Sequence, residues 1–338
     1  MRLLDLIAQA VDPVLVLSSV HGRTPVSLSG PREFAQRVSA CPLRFVMADN
    51  LTRASAELAF ADGVRLSDCL DLIRIPAPDL WIEWSDSAHQ QVMCESGAVA
   101  PEDMDTSERQ IGVLLQAAPS GRSAVVRTFW SAHDGAGGRS AEMSPVETYF
   151  NLDDRFVPSA DGGDLLRGEC VSVPSCLPHI ADLLERVRFR FDQSWANYYK
   201  QVALDRSTRE TVVRKSLGAV AHDIPLLLAF FLLLNAKGAT RAVEINRQYV
   251  NQKRQSRDRR LLLDHVEVHA TLPEAATAQG TFRDESNAGT RHSPRLHHVR
   301  GHLVRREDRI FWRVPHLRGC VHRGVIRSRT VCLQFSSA

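Results

Sequence analysis

At 338 residues, with 44% hydrophobic and 24% charged residues, the chain has the balance of a globular protein and excludes a disordered or collagen-like one. Length sets an expectation of about two domains, with ample chain to bury a core. The net charge of +3 hides a split: residues 291–338 carry eleven Arg against Glu307 and Asp308, about +9, which leaves 31 basic against 37 acidic residues, about −6, on the remainder.

Residues 2–11 place Leu3, Leu4, Ile7 and Val11 at helical spacing. Ser29-Gly-Pro-Arg-Glu-Phe-Ala starts another helix, Leu43 to Ala48 reads as a strand, and Ala54 to Phe60 as a helix. In Leu72 to Trp84, Pro76 and Pro78 bar a helix, and Leu80, Ile82 and Trp84 then alternate with Trp81 and Glu83 as in a strand. Three further strands are predicted at Gln110 to Ala117, Ala124 to Ser131 and Val146 to Leu152. Between the last two lies His133-Asp-Gly-Ala-Gly-Gly-Arg-Ser140. It lacks the Lys of a P-loop and is followed by a strand, so it reads as a hairpin loop, not a phosphate cradle.

From Ile180 the pattern turns helical, with Leu183, Leu184, Val187, Phe191, Trp195, Tyr198 and Val202 in one stripe. Thr208 opens a second helix whose later part, Leu226 to Leu234, is apolar all round and should cross the middle of the fold, kinked or divided at Pro225. That apolar run is too short for a bilayer, and no membrane association is expected. His222-Asp223 reads as a local cap or a core polar pair. Asn251 to Arg260, with five cations against Asp258, reads as a solvated loop. Leu261 to Leu272 alternates as a strand with His265, Glu267 and His269 on one face. The basic end then supplies strands at Leu296 to Val304, Ile310 to Val314 and Thr330 to Phe335.

These elements predict an α+β protein with three regions: a mixed helix-and-sheet region over 1–176, central helices over 177–240, and a basic, antiparallel β module over 241–338. The three together allow one integrated fold. Seven cysteines (41, 69, 94, 170, 176, 320 and 332), odd in number and without a Cys-x-x-Cys pair, read as thiols in a reducing cytoplasm. The opening stretch, broken by Asp5 and Asp12, does not read as a signal peptide.

The C-terminal third carries Leu232-Leu-Leu-Asn235, Leu261-Leu-Leu-Asp-His265, His297-His-Val-Arg-Gly-His302 and Phe311-Trp-Arg-Val-Pro-His-Leu-Arg-Gly319, with Ser328-Arg-Thr-Val331 after it. These segments, with Arg74-Ile-Pro and Leu80-Trp-Ile-Glu-Trp84 upstream, resemble a family of uncharacterised proteins encoded in tailed phages, prophages and proteobacterial genomes. The resemblance covers about half the chain. It implies a mobile-element context, a bacterial cytoplasmic setting and a phage or host protein partner, and it carries over no functional residue.

Three chemistries suit the basic end. In the first, Arg295, Arg300, Arg305, Arg306, Arg313, His316 and Arg318 meet the phosphates of a nucleic acid, DNA or RNA, while Trp312 offers a stacking face. In the second, a nuclease with or without a metal, His298 and His302 exchange protons while Arg300 and Glu267 position and stabilise, provided the strand around 265–269 pairs with that around 298–302. Side chains repeat every two residues on a strand, so His298, Arg300 and His302 would then share a face. In the third, His265, His269, His298 and His302, or His316, Cys320 and His322, hold a metal. No spacing matches a zinc signature, so neither a metal nor any cofactor is expected. A virion or assembly protein without a site is the remaining alternative. No Gly-x-Ser-x-Gly, His-Glu-x-x-His, Walker A or dinucleotide fingerprint occurs.

Overall fold

The computed structural model of the chain describes residues 2–9, 14–16, 25–27, 29–60, 66–100, 109–133, 139–156, 169–172, 178–192, 205–259, 261–271, 295–299, 302–306, 309–313, 316–318 and 320–326. Two compact units emerge: Met1–Asn235 with Thr240–Ala270, and Ala236–Ala239 with Thr271–Ala338. Residues 241–270, grouped by the sequence reading with the basic module, therefore belong to the larger unit.

The larger unit opens with α1 (Leu3–Gln9), the short antiparallel pair β1 (Val14–Val16) and β2 (Pro25–Ser27), and α2 (Ser29–Ala40). Next come β3 (Leu43–Met47), α3 (Asp49–Phe60), a 3₁₀ turn at Leu66–Leu72, β4 (Asp79–Ser85) and α4 (Asp86–Glu95). Both α3 and α4 begin on an aspartate directly after a strand, where a carboxylate complements the helix dipole. The chain continues through β5 (Gln110–Ala117), β6 (Ser123–His133), β7 (Arg139–Asn151), α5 (Pro178–Leu184) and β8 (Val187–Phe191). It closes with α6 (Arg206–Asn235), β9 (Thr240–Ile245), α7 (Gln248–Gln255) and β10 (His265–Ala270).

Eight of these strands form one sheet in the order β8-β7-β6-β5-β4-β3-β10-β9. β3 pairs parallel to β4 and to β10, and every other neighbour is antiparallel. The fold is thus α+β, built on a mixed sheet. Successive side chains leave opposite faces of a strand, and both faces are covered. On one, Phe45 meets Phe230 of α6 edge-on, with ring centroids 5.9 Å apart. On the other, Trp81 packs on Phe129 at 5.7 Å, and Phe129 on Phe34 of α2 at 6.2 Å. Gly112 stands opposite Glu83 in the register, and a Cβ there would overlap the Trp81 ring.

Helix α6 runs as one element through Pro225, where the sequence reading expected a kink or a division. From Leu226 to Leu232 every residue is fully buried, as an all-round apolar helix requires. It is the one helix among the described residues long and apolar enough to cross a bilayer, a property that a buried core helix shares. Here that surface packs against α3 and the sheet.

Two sequence expectations give way. The helical stripe predicted from Ile180 stops at Leu184, and Val187 to Phe191 is a strand with Val187, Phe189 and Phe191 buried and Arg190 exposed. Valine and phenylalanine alternating with arginine fit a period of two better than 3.6. The remainder of that stripe, 193–204, lies outside the described residues. The solvated loop expected over 251–260 instead begins as α7.

The smaller unit holds β11 (Arg295–Val299), β12 (His302–Arg306), β13 (Arg309–Arg313), β14 (His316–Arg318) and β15 (Cys320–Ile326). They form a three-stranded sheet, β14-β11-β15, and a separate hairpin, β12-β13. The expected antiparallel pairing holds for β11 with β14 and β12 with β13, whereas β11 and β15 run parallel. The strand predicted from Thr330 to Phe335 lies outside the described residues.

Candidate functional site

In the smaller unit, strand register distributes the predicted residues. Along the hairpin, His302 stands opposite Arg313, Leu303 opposite Trp312, Arg305 opposite Ile310 and Arg306 opposite Arg309. In the three-stranded sheet, His297 pairs with Arg318, His298 with Leu317, Val299 with His316 and Arg295 with Cys320. Cationic and imidazole positions thus recur at paired places in both sheets. Arg300 lies outside the described residues.

Among the described residues, His298 and His302 do not share the single strand expected to carry them with Arg300. β11 ends at Val299, β12 begins at His302, and the two strands belong to different sheets. The period-two argument that aligned these residues therefore does not run across the break. Glu267 is not delivered to His298 by strand pairing either, because both edges of β10 are taken. Glu267 stands opposite Val46 of β3 on one side and Val243 of β9 on the other. Its carboxylate lies 3.7 Å from Arg2 and 3.8 Å from His269. His265 is buried, with Nδ1 at 3.2 Å from the Leu263 carbonyl oxygen, and burial pulls its pKa down. Among the described residues, no group of three His, Cys, Asp or Glu side chains is placed to hold a metal ion.

A cleft of about 450 Å³ opens beside the carboxyl ends of β3 and β4. Arg2, Asp49, Glu83, Ser85, Gln110 and Glu267 contribute to its lining. The carboxyl ends of parallel strands are where α/β sheets commonly take ligands. Glu83, however, is already engaged. Its carboxylate accepts the Leu3 and Leu4 amides at 2.9 Å each and the Trp81 indole N–H at 3.3 Å. Burial pushes its pKa up, opposed by those bonds and by Arg2. The carboxylate serves as an internal anchor for the first turn of α1.

Sequence reasoning passed over a third cluster, where Phe60 of α3 stands between α4 and α6. Asp86, in the first turn of α4, accepts from Arg109 Nη2 at 2.7 Å and Nε at 3.1 Å through one oxygen. Its other oxygen lies 3.7 Å from His89 Nδ1, beyond hydrogen-bond range. His89 is 1% exposed, and neither ring nitrogen has a hydrogen-bond partner. The Phe60 ring lies 5.6 Å from that imidazole and 6.3 Å from His222 of α6. Next along α6, Asp223 is buried and sits in the field of Asp86 and Arg109.

The two carboxyls of this junction are driven apart. Burial pushes Asp86 up, but His89 and the Arg109 guanidinium outweigh it and hold it below its ordinary range. For Asp223, burial and the Asp86 charge act together and raise its pKa well above the usual value, against the pull of Arg109. Burial also lowers His222, whose Nδ1 bonds the Gly218 carbonyl at 2.9 Å. The sequence reading of His222-Asp223 as a polar core pair named two of the members. Asp86, His89 and Arg109 had a faint signal, an aspartate and a histidine three apart just after a strand. Nothing local tied them to residues more than 110 positions away.

No protein-family model, no curated protein and no solved structure matches this chain.

Proposed function

We propose that the protein binds nucleic acid through the Arg/His strands of its smaller unit. The observation that carries this reading is eleven arginines against two acids over residues 291–338, an excess that belongs to nucleic-acid footprints. The strand register supports it by pairing His302 with Arg313, Arg306 with Arg309 and His297 with Arg318, which repeats basic positions along two sheets. Arg295, Arg305, Arg306, Arg313 and Arg318 meet phosphates, His316 adds a donor, and Trp312 provides stacking. Joined to the phage or prophage setting that the resemblance implies, this makes a phage-associated nucleic-acid-binding protein of the bacterial cytoplasm.

The test is a titration of labelled DNA and RNA at several salt concentrations, with Arg305, Arg306 and Arg313 changed to Gln in parallel. For duplex DNA, log K is expected to fall against log salt with a slope of about −0.9 per phosphate neutralised, and the variant to show a shallower slope. An affinity indifferent to ionic strength rules out a phosphate-driven site. The cleavage reading has less support, because His298 and His302 lie on strands of different sheets. Equal loss of labelled substrate with wild type and His302→Ala would remove it.

A further inference from the structure

The three exposed large hydrophobic residues among those described are Tyr249 at 68%, Val250 at 40% and Leu261 at 51%. All three lie in the connection between β9 and β10, at the sheet edge that β9 forms. The same connection holds Lys253, Arg257 and Arg259, all exposed. Among the described residues no carboxylate pairs with any of these three. The Lys253 ammonium stands over the Tyr249 ring, 4.4 Å from its centroid.

Such a stretch has an ordinary explanation as a solvated loop, but the way it is held argues otherwise. α7 is eight residues long and none of them is buried. A helix this short is marginal on its own, and no core contact supports it. Side chains pin it instead. Asn251 accepts the Leu262 amide through Oδ1 and donates Nδ2–H to the Leu262 carbonyl, both at 2.8 Å. The Arg247 amide donates to Asp264 at 2.6 Å, and the Gln248 amide to Asn246 at 2.7 Å. At the carboxyl end Asp258 adopts φ 52°, a left-handed cap, and the Arg259 amide reaches the Arg254 carbonyl at 2.8 Å. The protein fixes a helix that buries nothing, and thereby holds an aromatic ring and three cations in the solvent.

We propose that this arm is a second nucleic-acid contact, for a single strand, independent of the basic strands in the smaller unit. Exposed bases stack on aromatic faces without regard to sequence, and cations spaced around the ring follow the phosphates. Lys253 covers one side of Tyr249 and leaves the ring exposed for a base. Duplex DNA keeps its bases stacked inside and offers the arm phosphates alone. An anionic membrane fits less well, because Tyr249, Val250 and Leu261 make a small apolar area where an interfacial helix presents a whole face.

The experiment uses the full chain with labelled oligothymidylate, the same length of duplex, and phosphatidylglycerol vesicles. Tyr249→Ala is expected to weaken oligothymidylate binding roughly ten-fold, as lost stacking does, and to leave duplex binding unchanged. Changing Lys253, Arg257 and Arg259 to Gln is expected to lower the single-strand salt slope by about two, near 0.7 per contact. Because α7 buries no residue, both variants should melt as wild type does. Unchanged single-strand affinity and slope overturn the proposal, and so does an effect of Tyr249→Ala confined to vesicles. The Arg305, Arg306 and Arg313 variant runs beside them. If it alone loses binding, the arm is wrong and the smaller unit's role stands; if the arm variants alone lose it, the reverse holds.

Discussion

The α4–α6 junction and the α7 arm both gather ionisable side chains around an aromatic ring, yet solvent gives them opposite characters. At the junction, Asp86, His89 and Asp223 are buried; the Asp86 charge is answered by Arg109, while burial and the Asp86 charge raise the pKa of Asp223. On the arm, Lys253, Arg257 and Arg259 are exposed to water. A charged cluster taken out of water acts on stability, because leaving one partner unpaired there costs several kcal/mol. The same cluster left in water contributes little to folding and remains available to a ligand. Composition alone does not separate the two cases.

The sharpest way to break this contrast is at the ion pair. Arg109→Met strands the Asp86 carboxylate inside the protein, and a loss of about 3–5 kcal/mol is expected by urea denaturation. A loss under about 1 kcal/mol would place Asp86 among ordinary surface residues.

Next comes Asp223→Asn. The native pKa of Asp223 is raised, so its contribution is fully present below the unfolded carboxylate value and is lost as pH climbs toward the folded value. The variant should therefore gain stability over wild type at pH 8 and lose that gain near pH 4. Asp86 has the opposite sign: its depressed native pKa contributes stability above the ordinary carboxylate range, which disappears as the medium is acidified through the folded value. Melting curves across pH for wild type and Asp223→Asn check both slopes. Parallel curves would mean that Asp223 is not held neutral.

Smaller effects are expected on the arm. Asn251→Ala removes both bonds to Leu262, so amide exchange over residues 248–255 should accelerate while the urea midpoint changes little. Tyr249→Ala should leave the unfolding free energy within about 0.5 kcal/mol of wild type. A larger drop would show that the ring is part of the fold and weaken the contrast from the exposed side.

Much of the larger unit was legible because its signals are local. The alternation in Leu80 to Trp84 and the apolar run from Leu226 each report a period within a few residues. The junction was not legible, because its members come from β4–α4, from the residue before β5 and from α6, and only the packing of helices joins them. α7 was missed for a related reason. Its sequence has no apolar face, and its supports are Asn246, Asn251 and Asp264 bonding backbone groups, which no periodicity records. The face expected at His298 to His302 draws on two strands, β11 and β12, that belong to different sheets, a pairing outcome that no local period records.

The middle of the large sheet is assembled from distant parts of the chain. β3 lies between β4, its near neighbour in sequence, and β10, and Asn50 bonds Ala270 across 220 residues. Asp5 likewise takes the Leu263 amide from 258 positions away. During synthesis β3 must therefore wait, one edge bare, until almost the whole larger unit has left the ribosome. Closure of that seam is a slow, high-contact-order event, and the waiting strand is the place where chaperones or aggregation have their opportunity.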